Sequence, residues 1–176
     1  VLVIPANSAD AIVNGHNKGT TPPQYVGGIT DAGVRNIKAF VEGGGTLVTL
    51  RQASMFAIEN LGVPVKDALA GLQPTRGGYA ETTETMVAKF ACPGSLLRTE
   101  FNTKHPVTYG MPAEAPGMFY GGTAFEVLSS FEGKGPVAVA KYPASDVLMS
   151  GYLLGEQHIK NKAAAVDASL GKGRVI

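Results

Sequence analysis

The chain has 176 residues, with Lys+Arg 15 against Asp+Glu 14, a net charge of +1 and only 16% charged residues. That balance, unbroken by any basic stripe, argues against a nucleic-acid or anionic-membrane partner, and 44% hydrophobic content excludes disorder. The length predicts a single domain, residues 1–176, able to bury a core without disulfide or metal staples, and Gly 23 with Pro 11 makes it rich in loops.

Val1-Leu2-Val3-Ile4, closed by Pro5, carries no basic residues before it. It is not a signal peptide and reads as a buried strand already in progress. No apolar run reaches the roughly 18 residues that cross a bilayer. Residues 6–29 form a long Gly/Pro/Asn segment with no obvious structure. Thr30 then stands as a plausible N-cap with Asp31 in the first turn, and Val34, Ile37 and Val41 recur at helical spacing. Gly43-Gly44-Gly45 ends that helix. Residues 46–50 read as a second apolar strand, and Ser54 as the cap of a short helix running to about Leu61. Strand, helix, strand, helix at this spacing predicts a parallel sheet with right-handed crossovers.

The second half loses helical periodicity. Residues 96–101, 125–129, 137–142 and 163–170 read as strands, with a short turn near 156–160, and antiparallel additions to the parallel sheet are the natural reading. Gly171-Lys172-Gly173 reads as a hairpin turn that leads into a strand at 174–176. A start without Met and an end in mid-strand suggest a piece of a longer polypeptide, truncated at both ends.

In open α/β sheets, ligands bind beyond the carboxyl ends of the strands. Two segments leave from such ends here. The first, residues 6–29, carries His16 and Tyr25 as candidate binding groups. The second, Leu50-Arg51-Gln52-Ala53-Ser54, is a strand-to-helix turn where an α/β enzyme would place a nucleophile elbow. It holds Arg51 and Gln52, which are not nucleophiles but join the candidate ligand-binding groups, the Arg51 guanidinium suiting a peptide carboxylate, and glycine is absent on both sides. Ser54 suits a helix cap. Cys92 precedes Pro93, which biases it to extended backbone, and no histidine adjoins it in sequence, so an inert thiol is expected. His16, His105 and His158 are widely separated and form no metal-ligand motif, so no metal site is expected.

Several strings carry a resemblance. They are Pro22-Pro23-Gln24-Tyr25-Val26-Gly27-Gly28-Ile29, Ala39-Phe40-Val41-Glu42-Gly43-Gly44-Gly45-Thr46-Leu47-Val48 and Cys92-Pro93-Gly94-Ser95-Leu96-Leu97-Arg98. His105-Pro106-Val107-Thr108-Tyr109-Gly110-Met111-Pro112, Ser150-Gly151-Tyr152-Leu153-Leu154-Gly155-Glu156 and Leu170-Gly171-Lys172-Gly173-Arg174-Val175-Ile176 follow in the same order. Together they resemble the C-terminal, class I glutamine-amidotransferase-like region of large bacterial zinc carboxypeptidases of the carboxypeptidase A-like class.

The resemblance implies a three-layer Rossmann/flavodoxin-like α/β fold, a parallel sheet with antiparallel additions. It also implies an exported parent, secreted or periplasmic, whose N-terminal peptidase domain is the partner and holds the zinc. No cofactor is expected in this chain. The zinc-ligand motif is missing and the amidotransferase elbow cysteine is replaced by Arg51 and Gln52, so neither catalytic set carries over. The implied role is a non-catalytic accessory domain serving stability, assembly or substrate positioning, with a possible peptide ligand and possible homo-oligomers. The alternatives are an independent hydrolase or amidotransferase-like enzyme using Cys92 or Ser54 with His16 or His105, or a peptide- or sugar-binding module.

Overall fold

A computed structural model describes residues 1–72, 89–128 and 135–176. Strand β1 (Leu2–Ile4) stops before Pro5, which has no ladder donor. Helix α1 (Ala9–Val13) begins because Ser8 is extended and its Oγ accepts from Ala11 N at 3.1 Å, with Asp10 in the first turn. Residues 6–29, expected to lack structure, therefore hold α1 and a 3-10 turn at Pro23–Tyr25. Five helical residues are too few to register as periodicity.

Helix α2 (Thr30–Glu42) buries Val41 and half-buries Val34 and Ile37. Its cap position is Ile29. Thr30 is already the first helical residue, with no side-chain cap bond and a φ of 61°. A capping hydroxyl needs an extended backbone, which Thr30 lacks. Strand β2 (Thr46–Thr49) leads to a 3-10 turn at Arg51–Ala53 that runs straight into α3 (Ser54–Leu61). Ser54 sits at φ −61° and ψ −27°, so it is also inside the helix and caps nothing. Gly62, at φ 78°, ends α3 in the left-handed manner.

Strands then take over. They are β3 (Val65–Asp67), β4 (Pro93–Phe101), β5 (Glu114–Tyr120), β6 (Phe125–Val127), β7 (Val137–Lys141), β8 (Leu148–Ser150), β9 (Ala163–Leu170) and β10 (Gly173–Val175). In β4, Ser95, Leu97 and Thr99 turn inward at the strand period of two. β3, β5 and β8 escaped the sequence reading: β3 and β8 have three residues each, and Pro116-Gly117 interrupts β5. Ser129, the last residue of the predicted 125–129 strand, lies outside the described residues. Gly171 and Lys172 form the β9–β10 turn, and Gly173 is required just after it. A Cβ at Gly173 would stand 2.1 Å from the Val41 carbonyl oxygen.

The chain forms two compact units. The first comprises Val1–Lys66, Val127–Ala138 and Ala165–Ile176. In it β1 pairs parallel with β2 from Leu2↔Leu47 to Ile4↔Thr49, and β10 lies parallel to β2 on the other side through Arg174↔Thr46. β10 returns antiparallel along the end of β9. Val41, Leu47, Ala53 and Phe56 are fully buried here. β1 is not the buried strand its apolar sequence suggested: among the described residues it pairs on one side, and Val3 is 53% exposed.

The second unit comprises Asp67–Glu126 and Val139–Ala164. β4 is its centre, with β5 antiparallel along one edge and β7 and β8 antiparallel along the other. Leu69, Phe90, Cys92, Leu97, Phe119, Tyr142, Val147 and Ile159 make one apolar cluster. The Phe119 ring meets Phe90 edge-on at 5.8 Å and Tyr142 at 6.4 Å.

The three-layer Rossmann/flavodoxin-like, glutamine-amidotransferase-like architecture is therefore not the fold. The strands form a ten-stranded mixed sheet in which the parallel ladders are β1–β2 and β2–β10. The ladders β10–β9, β4–β5, β4–β7, β4–β8 and β6–β9 are antiparallel. A parallel layer grows by crossovers of a dozen or more residues, usually a helix. Among the described residues no α-helix follows Leu61, and the β4–β5, β5–β6, β7–β8, β8–β9 and β9–β10 connections hold nothing longer than a 3-10 turn. The strand–helix–strand start reads as a doubly wound fold because nothing in that segment shows that the pattern stops.

Candidate functional site

The parallel ends of β1 and β2 build the strongest candidate. Leu50 N donates to Ile4 O at 3.0 Å, and Thr49 N donates to Ile176 O at 2.8 Å, so the end of β2 is held from both sides. Thr49 Oγ1 adds a bond to the same Ile176 oxygen at 3.3 Å. The ladder ends there, and the next residue, Arg51, takes a φ of 57°. That region costs a residue with a Cβ about 1–2 kcal/mol. The 3-10 turn Arg51–Ala53 then feeds α3. A strand, a strained residue and a helix in immediate succession share the backbone course of a nucleophile elbow, with an arginine where a nucleophile would stand.

Arg51 and Gln52 are both exposed at this turn, while Ala53 is buried beneath them. α1, which follows β1, packs against the same turn and against α3. The two segments expected to leave from strand carboxyl ends thus adjoin through α1.

His16 and Tyr25 belong to a different part of the first segment. Gly27 N donates to His16 O at 3.0 Å, and Ile29 N donates to Ile12 O at 3.0 Å, which closes residues 16–27 into a loop against the end of α1. Glycine makes that closure possible. A Cβ on Gly15 would stand 1.8 Å from Gly27 O, and one on Gly28 would stand 2.5 Å from Val13 O. The His16 side chain is exposed, and Tyr25 is 65% exposed at the end of its 3-10 turn.

The alternative nucleophiles fall in different units. Ser54 starts α3 in the first unit, whereas Cys92 lies in the apolar cluster of the second. Burial pushes the Cys92 thiol above its ordinary value, and hydrogen bonding with the Ser95 side chain and with the backbone of Gly94 and Ser95 only partly opposes it. Tyr142 is raised too, first by burial and then by the neighbouring Cys92 charge. His105 does local work: its Nδ1 accepts from Val107 N at 3.3 Å and caps the 3-10 turn Pro106–Thr108.

Among the described residues no three His, Cys, Asp or Glu side chains gather in a group able to hold a metal. No described helix is long and apolar enough to cross a membrane. The strain at Arg51 carries no sequence signal, because elbows and tight turns are recognised by the glycines that this turn lacks. The Ser8 cap of α1 was legible in principle as Ser followed by Asp two residues on.

Compared with known proteins, the chain matches no family model, no curated protein and no solved structure.

Proposed function

We propose that the chain is a non-catalytic accessory module of a zinc carboxypeptidase-like polypeptide, and that it positions peptide at the turn after β2. The observation that carries this reading is Arg51, an exposed arginine held at φ 57° where two parallel strands end. Backbone outliers of this kind cluster where a site uses them. A guanidinium is planar and always charged, so it takes a carboxylate through two parallel hydrogen bonds. The free C-terminus of a peptide offers that group. Gln52, next in the chain, brings an amide donor and acceptor suited to the last peptide bond.

On this reading the partner is the peptidase domain of the same polypeptide, zinc belongs to that domain, and export follows the parent. The ordered strings between Pro22 and Ile176 support that setting. Burial of the Cys92 thiol weighs against the hydrolase alternative, since the thiolate is the nucleophile.

The test is a titration of the folded chain, followed by NMR shifts, with short peptides bearing a free C-terminal carboxylate and with their C-terminal amides. Saturable binding of the acids, weaker with Arg51→Lys and lost with Arg51→Ala, is expected. Equal binding of acid and amide, or wild-type binding by Arg51→Ala, would overturn the reading.

A further inference from the structure

Asn14 follows α1 and precedes Gly15, and no other asparagine in the chain is followed by glycine. Glycine sets no Cβ beside its own amide nitrogen, which leaves that nitrogen open to the preceding side chain. Asn14 is exposed and doubly anchored to Asp10. Its backbone N–H donates to Asp10 O at 2.7 Å, and its Nδ2 donates to Asp10 Oδ1 at 2.7 Å.

We propose that Asn14–Gly15 is a site of spontaneous succinimide formation, gated by the two bonds to Asp10. In this step the Gly15 nitrogen attacks Asn14 Cγ and the Cγ–Nδ2 bond breaks. The amide leaves as ammonia with the proton lost from Gly15. Water, the one co-reactant, then opens the ring at either carbonyl to give aspartate or isoaspartate, with no change of oxidation state. Aspartate places a carboxylate where the amide met Asp10, so an attractive contact becomes a repulsive one, and isoaspartate takes Cγ into the main chain, so the bond to Asp10 Oδ1 is lost. Isoaspartate also adds a carbon to the backbone directly before Gly15, which has no room for even a Cβ against Gly27. The bond from Gly27 N to His16 O is expected to fail in that product.

The experiment incubates the purified chain in mildly alkaline buffer, folded and in urea, and follows each asparagine by peptide mass mapping with isoaspartate detection. Asn14 is expected to convert ahead of the other asparagines and to react faster in urea. Asp10→Ala is expected to speed the folded chain about fivefold, the factor set by the net contribution of one exposed hydrogen bond. Conversion of Asn14 no faster than that of Asn36 overturns the site. Equal rates for the native chain, the unfolded chain and Asp10→Ala overturn the gating.

Discussion

Ser95 and Tyr152 are joined twice through one oxygen: Ser95 Oγ donates to Tyr152 O at 2.7 Å and accepts from Tyr152 N at 2.9 Å. The hydroxyl stands in for a backbone partner of the segment after β8. Ser95 is 2% exposed and Tyr152 is 55% exposed, so the variant loses the two bonds themselves. Ser95→Ala should lower the unfolding free energy by about 1–3 kcal/mol, the net contribution of two hydrogen bonds at about 0.5–1.5 kcal/mol each. Gly151→Ala should be at least as damaging, because its φ is 104° and a Cβ would stand 2.5 Å from Ser95 Oγ. Chemical denaturation of the two variants checks both; wild-type stability for Ser95→Ala would show that the double bond contributes nothing.

At Arg51, the side chain and the backbone strain separate experimentally. Arg51→Ala removes the guanidinium and keeps the penalty of φ 57°, whereas Arg51→Gly removes both. The glycine variant should therefore be more stable than the alanine variant by about 1 kcal/mol, less the entropy glycine adds to the unfolded chain. Urea midpoints compare them directly. An alanine variant as stable as the glycine variant would mean that the turn relaxes out of the left-handed region.

Alkaline pH should destabilise the fold. Burial keeps Cys92 protonated in the folded state beyond its ordinary value of 9.0, and Tyr142 beyond 10.0. Above those values the unfolded chain loses protons that the folded chain retains, so the stabilisation present at lower pH is lost as pH rises. The unfolding free energy should stay level through neutrality with respect to these groups, then fall above about pH 9 by up to ~1.4 kcal/mol per pH unit for each group. Tyr142→Phe should flatten the upper part of that fall. An unchanged slope in that variant would assign the loss to other groups.

Among the described residues β5 pairs only with β4, and it carries a proline at a telling position. Phe101 N donates to Ala113 O at 2.9 Å, and the register Thr99↔Ala115, Leu97↔Gly117 continues that phase. The N–H groups of residues 113, 115, 117 and 119 thus face β4, and those of 114 and 118 point the other way, where Pro116 supplies none. Pro116→Val completes the row of edge donors. It should promote self-association, read by sedimentation velocity across a concentration series. A variant that sediments as the wild type does at every concentration would deny the proline this role.

The elements that rest on local chemistry were legible in the residues. The apolar stripe of Val34, Ile37 and Val41 marks α2, the short apolar run at 46–50 marks β2, and Gly171-Lys172 marks the last turn. Arg51 and Gln52 were equally legible as the residues at a strand-to-helix turn. Other features were settled by partners distant in sequence. Whether β4 lies in a parallel or an antiparallel ladder depends on which strands arrive beside it, and β5, β7 and β8 all run the opposite way. β1 is apolar throughout yet exposed, because burial depends on what covers a strand as well as on its composition. Thr30 and Arg51 occupy left-handed backbone that neither residue prefers. Local propensity amounts to a fraction of a kcal/mol per residue, and tertiary packing that exceeds it sets the backbone instead.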